Sequence, residues 1–218
     1  MSFLEACSNG NLDMVKELYD PELVDVAFLF ACEKGHLNIA KWLFEIDNND
    51  FLRPLGNEDF QSACENGHLD MAQWLFSTGE VDIHDQEDLA FMLTCKKGHL
   101  NVAQWLYDFV QTNISPRRNA VFSVICANGH LTMAQWFYGC FPIDIHADND
   151  LVFRFSCKSG QLGVAQWLYT FGKVNIHANN DYAFKQSCQE GHLDVAQWLS
   201  TLCSEYKIPM PKIFYPCY

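Results

Sequence analysis

Apolar and polar positions repeat along the chain with a fixed period. The segment CENGHLDMAQWLF, which starts at Cys64, returns with small changes, and its glycine recurs every 31 residues from Gly67 to Gly191. A fixed period of this length indicates a solenoid, in which each unit packs mainly on its neighbours. We expect about seven units, centred on Gly10, Gly35, Gly67, Gly98, Gly129, Gly160 and Gly191.

Each repeat predicts two helices. In the repeat that starts at Asp150, Phe153 and Cys157 fall on one face of a first helix, and Gly160 suits the left-handed position that ends it. The stretch from residue 162 to 168 is apolar around most of a second helix, which indicates burial between neighbouring repeats. In the repeat around Gly67, Asp70 and Gln73 form the narrow polar stripe that we expect to face solvent.

An Asp or Asn precedes most first helices, and we interpret this position as a repeated N-cap. Its members are Asp25, Asn57, Asp88, Asn119, Asp150 and Asp181. The segments VDIH, IDIH and VNIH, at residues 81–84, 143–146 and 174–177, lie between repeats and are followed by Asp or Asn turn residues. They predict short protruding turns between the units.

The composition fits one continuous all-α domain over residues 1–218. Hydrophobic residues make up 49% of the chain and charged residues 19%, so a long core is expected and disorder is not. Polar residues interrupt every apolar run before membrane-spanning length, and the N-terminal sequence lacks the basic region of a secretion signal. We expect residues 1–20 and 200–218 to cap the two ends of the stack.

Charge and cysteine spacing narrow the functional classes. The formal charge of −13 would repel a nucleic-acid backbone over most of the surface. Seven cysteines lie three residues before the repeat glycines: Cys7, Cys32, Cys64, Cys95, Cys126, Cys157 and Cys188. Equivalent positions on stacked helices are about 8–10 Å apart, too far for disulfides, so we predict small buried thiols in a reducing cytosol. The sequence leaves open a pairing of Cys203 with Cys217.

The repeated reactive residues have structural interpretations. All eight histidines lie either directly after the glycine or in the turn, and rings one helix spacing apart cannot converge on one metal ion. We predict structural hydrogen bonds for them, and core packing for the six tryptophans on the second helices. No arrangement of residues indicates a catalytic site, so we expect a non-enzymatic protein without cofactor or metal.

The motifs resemble those of ankyrin repeats. The resemblance rests on Gly-His-Leu at the start of each second helix, on the Asp-Ile-His turn, and on a helix-turn-helix unit of similar length. The chain departs from the family where Thr-Pro-Leu-His usually opens the first helix, because phenylalanine occupies the leucine position from Phe3 to Phe184. The wording GHLDVAQWL with IHANNDYAF resembles the ankyrin families of giant DNA viruses of amoebae, which implies a viral protein that engages a host factor in the host cytosol.

The resemblance implies that turn tips and first helices line a concave face that binds a protein partner. The side chains at these places vary between repeats, and the candidate contacts are Asp85, Gln86, Glu87, Lys96, Lys97, Arg117, Arg118, Asp148, Asn149, Lys158, Asn179 and Asn180. The five lysines and arginines in this set suggest a basic strip that receives an acidic segment of the partner. We expect a monomer that contacts neither nucleic acid nor membrane.

Two other functions remain open from the sequence. The chain could be a structural subunit that assembles with itself or with other parts of a particle. It could also be an adaptor of a ubiquitin ligase, although that role normally needs an additional ligase-docking domain.

Overall fold

Fourteen α-helices and one short 3₁₀ helix, Pro21–Leu23, make up the ordered elements of the computed structural model, which describes residues 1–46, 56–110 and 117–208. The helices in chain order are α1 (Phe3–Ser8), α2 (Leu12–Glu17), α3 (Val24–Lys34), α4 (Leu37–Ile46), α5 (Asn57–Glu65), α6 (Leu69–Ser77), α7 (Asp85–Lys97), α8 (Leu100–Val110), α9 (Arg118–Ala127), α10 (Leu131–Cys140), α11 (Ala147–Lys158), α12 (Leu162–Tyr169), α13 (Ala178–Gln189) and α14 (Leu193–Leu202). They form seven pairs, which confirms the predicted all-α repeat architecture.

A glycine separates the two helices of every pair. All seven repeat glycines have φ between 72° and 83°, the left-handed region that side chains adopt only with strain. In the first pair, for example, the amide of Gly10 donates to the carbonyl of Cys7, and the amide of Asn11 donates to that of Ala6. The predicted left-handed end of each first helix is therefore confirmed.

The chain divides into two compact units, residues 1–117 and 118–218. In the first unit the odd-numbered helices α1, α3, α5 and α7 pack side by side, and each contacts the second helix of its own pair. In the second unit α9, α11 and α13 pack in the same way. The expectation that residues 1–218 form one domain stays a prediction.

The repeated apolar positions form the core of each unit. The phenylalanine of every first helix is buried, at positions Phe3, Phe28, Phe60, Phe91, Phe122, Phe153 and Phe184. Each second helix from α4 onward buries three residues at i, i+1 and i+4, such as Met71, Ala72 and Leu75 in α6. Asp70 and Gln73 of α6 are exposed, as predicted for its polar stripe.

Two burial predictions need correction. The tryptophans of the second helices, Trp42, Trp74, Trp105, Trp136, Trp167 and Trp198, are only half-buried. Most of them pack edge-on against aromatic rings of the preceding helix pair. Trp74, for example, contacts Phe44 with the two ring centroids 5.8 Å apart. Six of the seven repeated cysteines are buried, but Cys188 is half-buried because α13 belongs to the last repeat and no further first helix packs on it.

No disulfide joins two of the described cysteines, and burial raises the pKa of Cys7 to about 11 and that of Cys64, Cys95, Cys126 and Cys157 still further. Cys217 lies outside the described residues, so the open pairing with Cys203 stays untested. Over the described ranges, every helix is too short or too polar to cross a membrane.

Candidate functional site

The first residues within the bounds of α7, α11 and α13 form a non-helical turn. Three consecutive residues are left-handed, with φ between 50° and 64°, at Gln86–Asp88, Asp148–Asp150 and Asn179–Asp181. Left-handed backbone costs about 1–2 kcal/mol per residue for most side chains, and Asn and Asp adopt it most readily. Seven of these nine residues are Asn or Asp, so the local sequence favours a tight protruding tip.

A histidine and an aspartate close each of these turns. The Nδ1–H of His84 donates to the carboxylate of Asp88 at 2.6 Å, and His146 donates to Asp150 at the same distance. His177 and Asp181 form the equivalent pair at 2.7 Å. The aspartates therefore do not cap helices as the sequence suggested, because their carboxylates bind the turn histidine instead.

The same position also connects one repeat to the turn of the next. Asn57 Oδ1 accepts from the amide of Asp82 at 2.8 Å, and Asp150 Oδ2 accepts from the amide of Asn175 at 2.9 Å. Asp150 is only 5% exposed, so both of its oxygens are used inside the protein. Asn57 and Asp150, two of the predicted N-caps, are thus junctions between repeats.

The last repeat uses a tyrosine for this junction. The hydroxyl of Tyr206 donates to Asp181 Oδ1 at 2.8 Å, and its ring stacks on Phe184 at 4.3 Å with an interplanar angle of 7°. This contact covers the exposed end of α13. The rest of the predicted C-terminal cap, residues 209–218, lies outside the described residues.

Replacing Tyr206 with phenylalanine should raise the pKa of Asp181. Hydrogen bonds from His177 and then Tyr206 hold that pKa below its usual value, because both donors stabilise the charged carboxylate. A lowered pKa in the folded chain contributes stability above the unfolded value of about 3.9, and this contribution is lost as pH falls through the folded value. Carboxyl NMR titration of the wild type and Tyr206→Phe measures the change. Tyr169→Phe on α12 is the control, and an Asp181 pKa that is the same in Tyr206→Phe as in the wild type contradicts the junction.

The histidine after the glycine packs on the preceding repeat. The imidazole Nε2 of His36 lies 3.0 Å from the carbonyl oxygen of Ser8, and that of His68 lies 2.9 Å from the carbonyl oxygen of Glu33. His68 also covers Gly35, where a Cβ would lie 2.6 Å from the imidazole Cγ. The predicted structural role of these two histidines is confirmed. Among the described residues, no three His, Cys, Asp or Glu side chains form a group that could hold a metal ion.

Most of the predicted contact residues of the turn tips are exposed to solvent. Gln86, Glu87, Asp148, Asn149, Asn179 and Asn180 are exposed, and Asp85 is half-buried. Because all of the exposed ones sit in the same left-handed turn, each tip presents two variable side chains from a fixed backbone.

The predicted basic residues each have a partner in the chain. In the first unit Arg117 pairs with Glu87, and Lys97 lies 3.4 Å from a carboxylate oxygen of Glu65. Lys96 is exposed and also interacts within the protein.

In the second unit, Arg118 Nε donates to the carbonyl of Pro142 at 2.8 Å, and Lys158 lies over the ring of Phe155 at 5.8 Å. These contacts orient the two cations, and because both of these partners are uncharged, neither contact cancels the positive charge of Arg118 or Lys158.

Sequence reasoning missed Arg154 on α11. Its guanidinium donates to the carbonyls of Asn149 and Asp148, both at 2.8 Å, and lies 5.4 Å from the centre of the Tyr182 ring. The residue is 5% exposed and fixes the left-handed tip. The position that carries Met92 and Ser123 in earlier repeats carries a basic residue in the next two, Arg154 and then Lys185, whose ammonium donates to the carbonyl of Asn180 at 2.8 Å, and this change of residue type was the signal that could have identified it.

Comparison with known proteins gives one result for the family. The sequence model described as Ankyrin repeats (3 copies) matches residues 3–87 and, overlapping, residues 60–149. The search of curated proteins found no match.

Proposed function

Because the chain belongs to the ankyrin-repeat family, we propose that it binds a partner protein through its turn tips and the exposed side of its first helices. Ankyrin repeats are generally protein–protein interaction modules. The proposal assigns no catalytic step to the chain and no cofactor or metal.

The contrast between fixed and variable positions carries this proposal. The recurring phenylalanines are buried, and repeat glycines such as Gly35 and Gly67 pack against the histidine of the next repeat. The residues that change between repeats, such as Glu87, Asn149 and Asn180, are exposed at the tips of rigid turns. A repeat scaffold that holds different side chains in the same backbone geometry suits recognition of another macromolecule.

The basic residues Lys96, Lys97, Arg117, Arg118 and Lys158 are proposed to receive an acidic segment of the partner. Glu87 and Glu65 already pair with two of these cations, so an incoming carboxylate would have to compete with them. Arg117 and Glu87 are exposed and Lys97 and Glu65 are largely so, and exposed pairs contribute only about 0–1 kcal/mol. A partner with several carboxylates could therefore displace Glu87 and Glu65 from these cations.

Reversing Arg117 and Arg118 to glutamate should weaken capture of the partner by about tenfold or more, because like charges would then face the acidic segment. The measurement is affinity capture from amoebal lysate with wild-type and Arg117→Glu/Arg118→Glu chains at several salt concentrations. Lys16→Glu/Lys41→Glu on the second helices is the matched control, since it makes the same change in net charge at exposed positions on α2 and α4. Equal capture by the wild type and the arginine variant would sink the idea of a basic strip.

The proposed setting is the cytosol, where a protein with free buried thiols is expected. If the resemblance to viral families reflects the origin of the chain, the partner is a host protein and the setting is the host cytosol. We propose a monomer in solution. Light scattering over a range of concentrations separates this from a self-assembling subunit, whose mass would rise with concentration.

A further inference from the structure

An apolar groove opens on the second unit between α9 and α11. Ala120 and Ser123 of α9 form one side, Ala147 and Leu151 of α11 form the other, and Ile143 closes the end. Its volume is about 210 Å³. Small-molecule sites usually enclose about 300–1,000 Å³, so this groove fits one large side chain better than a free metabolite.

Two small side chains keep this groove open. At the equivalent place in the first unit, Gln61 Nε2 donates to Asp85 Oδ2 at 2.8 Å and bridges the first helix to the following turn. The corresponding residues of the second unit, 62 positions later, are Ser123 and Ala147. Ser123 bonds back to its own helix at the carbonyl of Asn119, and alanine offers no bridging group. The groove is therefore a local break in the repeat pattern.

The next repeat fills the same place differently. Arg154 occupies the position equivalent to Ser123, and it is directed to the carbonyls of the turn tip and to the Tyr182 ring. Ala178, equivalent to Ala147, is 4% exposed. By holding residues 148 and 149, Arg154 also makes the tip beside the α9–α11 groove rigid, which lowers the entropy that a bound partner would cost.

The rim of the groove combines negative charge with exposed apolar surface. Asp144 and Asp148 line it, both are exposed, and neither carboxylate forms an ion pair with any described residue. Two exposed apolar residues lie outside the lining: Phe155 follows Leu151 by one helical turn, is 38% exposed and contacts Lys158 and Tyr182, and Val124 follows Ser123 directly and is 40% exposed. A complementary ligand has an apolar side chain with a positive charge beside it.

We infer that this groove anchors one bulky aliphatic or aromatic side chain of a partner protein segment, with a neighbouring lysine or arginine paired to Asp144 or Asp148. The inference rests on the proposed function and names the chemistry that the second unit recognises. Buried anchor residues of this kind supply most of the binding energy at protein interfaces. The acidic segment proposed above would contact other residues of the same partner.

Selection from a random twelve-residue peptide library tests the groove without knowledge of the partner. The full chain should enrich peptides in which leucine, methionine or an aromatic residue lies within two positions of lysine or arginine. The double variant Ser123→Gln/Ala147→Asp rebuilds the bridge of the first unit, closes the groove, and should weaken the selected peptides by at least tenfold. Asp148→Asn should weaken them less and reduce the salt dependence of their binding.

A control adds the same chemical groups elsewhere. Thr132→Gln/Asn101→Asp changes exposed positions on second helices and should leave peptide binding unchanged. Circular dichroism melting confirms that each variant folds. Enrichment of peptides without an apolar anchor, no enrichment at all, or equal binding by the closed-groove variant overturns the inference. If the closed-groove variant instead abolishes self-association, the occupant is a second copy and the inference is also wrong.

The outcomes separate this inference from the broader proposal. A closed-groove variant that still captures a protein from lysate through the arginine-dependent surface leaves the proposed function in place and removes only the groove. A wild-type chain that binds the selected peptides but captures no protein removes the proposed acidic partner segment and leaves the chemistry of the groove.

Discussion

Gly160→Ala should lower the free energy of unfolding by about 2–5 kcal/mol, through left-handed strain of about 1–2 kcal/mol and overpacking of about 1–3 kcal/mol. Gly160 has φ of 75°, and a Cβ there would lie 2.8 Å from Cγ of His192 in the next repeat. Because that ring packs between two repeats, it has little room to move away. Urea unfolding followed by circular dichroism measures the loss.

Gly191 gives a matched control for the two contributions. Its φ is 81°, but no atom lies within 4 Å of the Cβ position, because α14 belongs to the last repeat. Gly191→Ala should therefore cost only the strain, about 1–2 kcal/mol. In Gly160→Ala, truncating His192 to alanine should recover part of the loss. Equal losses of unfolding free energy in Gly160→Ala and Gly191→Ala would show that His192 tolerates a Cβ at position 160.

Asp150→Ala should lower the free energy of unfolding by about 3–6 kcal/mol, because two hydrogen bonds to a buried carboxylate are lost and each contributes about 1.5–3 kcal/mol. The alanine leaves the ring of His146 and the amide of Asn175 without their acceptor. Both the left-handed tip and the junction with the next turn lose support. Urea unfolding at neutral pH gives the magnitude.

Asp148, two residues earlier on the same tip, is the control for this change. Its carboxylate is exposed and accepts no hydrogen bond from a described residue, so Asp148→Ala should lose only what alanine costs in the left-handed conformation that both aspartates share, about 1 kcal/mol. A loss at Asp150 no larger than that at Asp148 would contradict the junction. If Asp150→Ala speeds amide hydrogen exchange only at residues 146–150, the proposed connection to the turn of the next repeat is contradicted.

The periodic part of the fold was predictable because its causes are local and repeated. Apolar spacing placed the helix pairs, and the need for a left-handed residue placed the glycine between them. The N-cap interpretation was wrong for a physical reason. An Asp before a helix can accept either from the helix amides or from another donor, and at Asp150 the preceding histidine and the following turn both compete successfully.

The candidate site was predictable only in part. The tips were identified because their side chains vary, but their shared left-handed conformation depends on contacts such as that of Arg154 with two carbonyls. The groove depends on the combination of Ser123 with Ala147, which are 24 positions apart and unremarkable individually. Partial exposure of the tryptophans likewise follows from how neighbouring repeats overlap, which periodicity does not specify.

Backbone hydrogen exchange of the chain, alone and bound to a captured protein, tests the central claim of binding through the tips and first helices. We predict slower exchange at residues 85–87, 148–149 and 179–180 and at the exposed ends of the first helices, with the second helices unchanged. Protection confined to the second helices would contradict binding through this face.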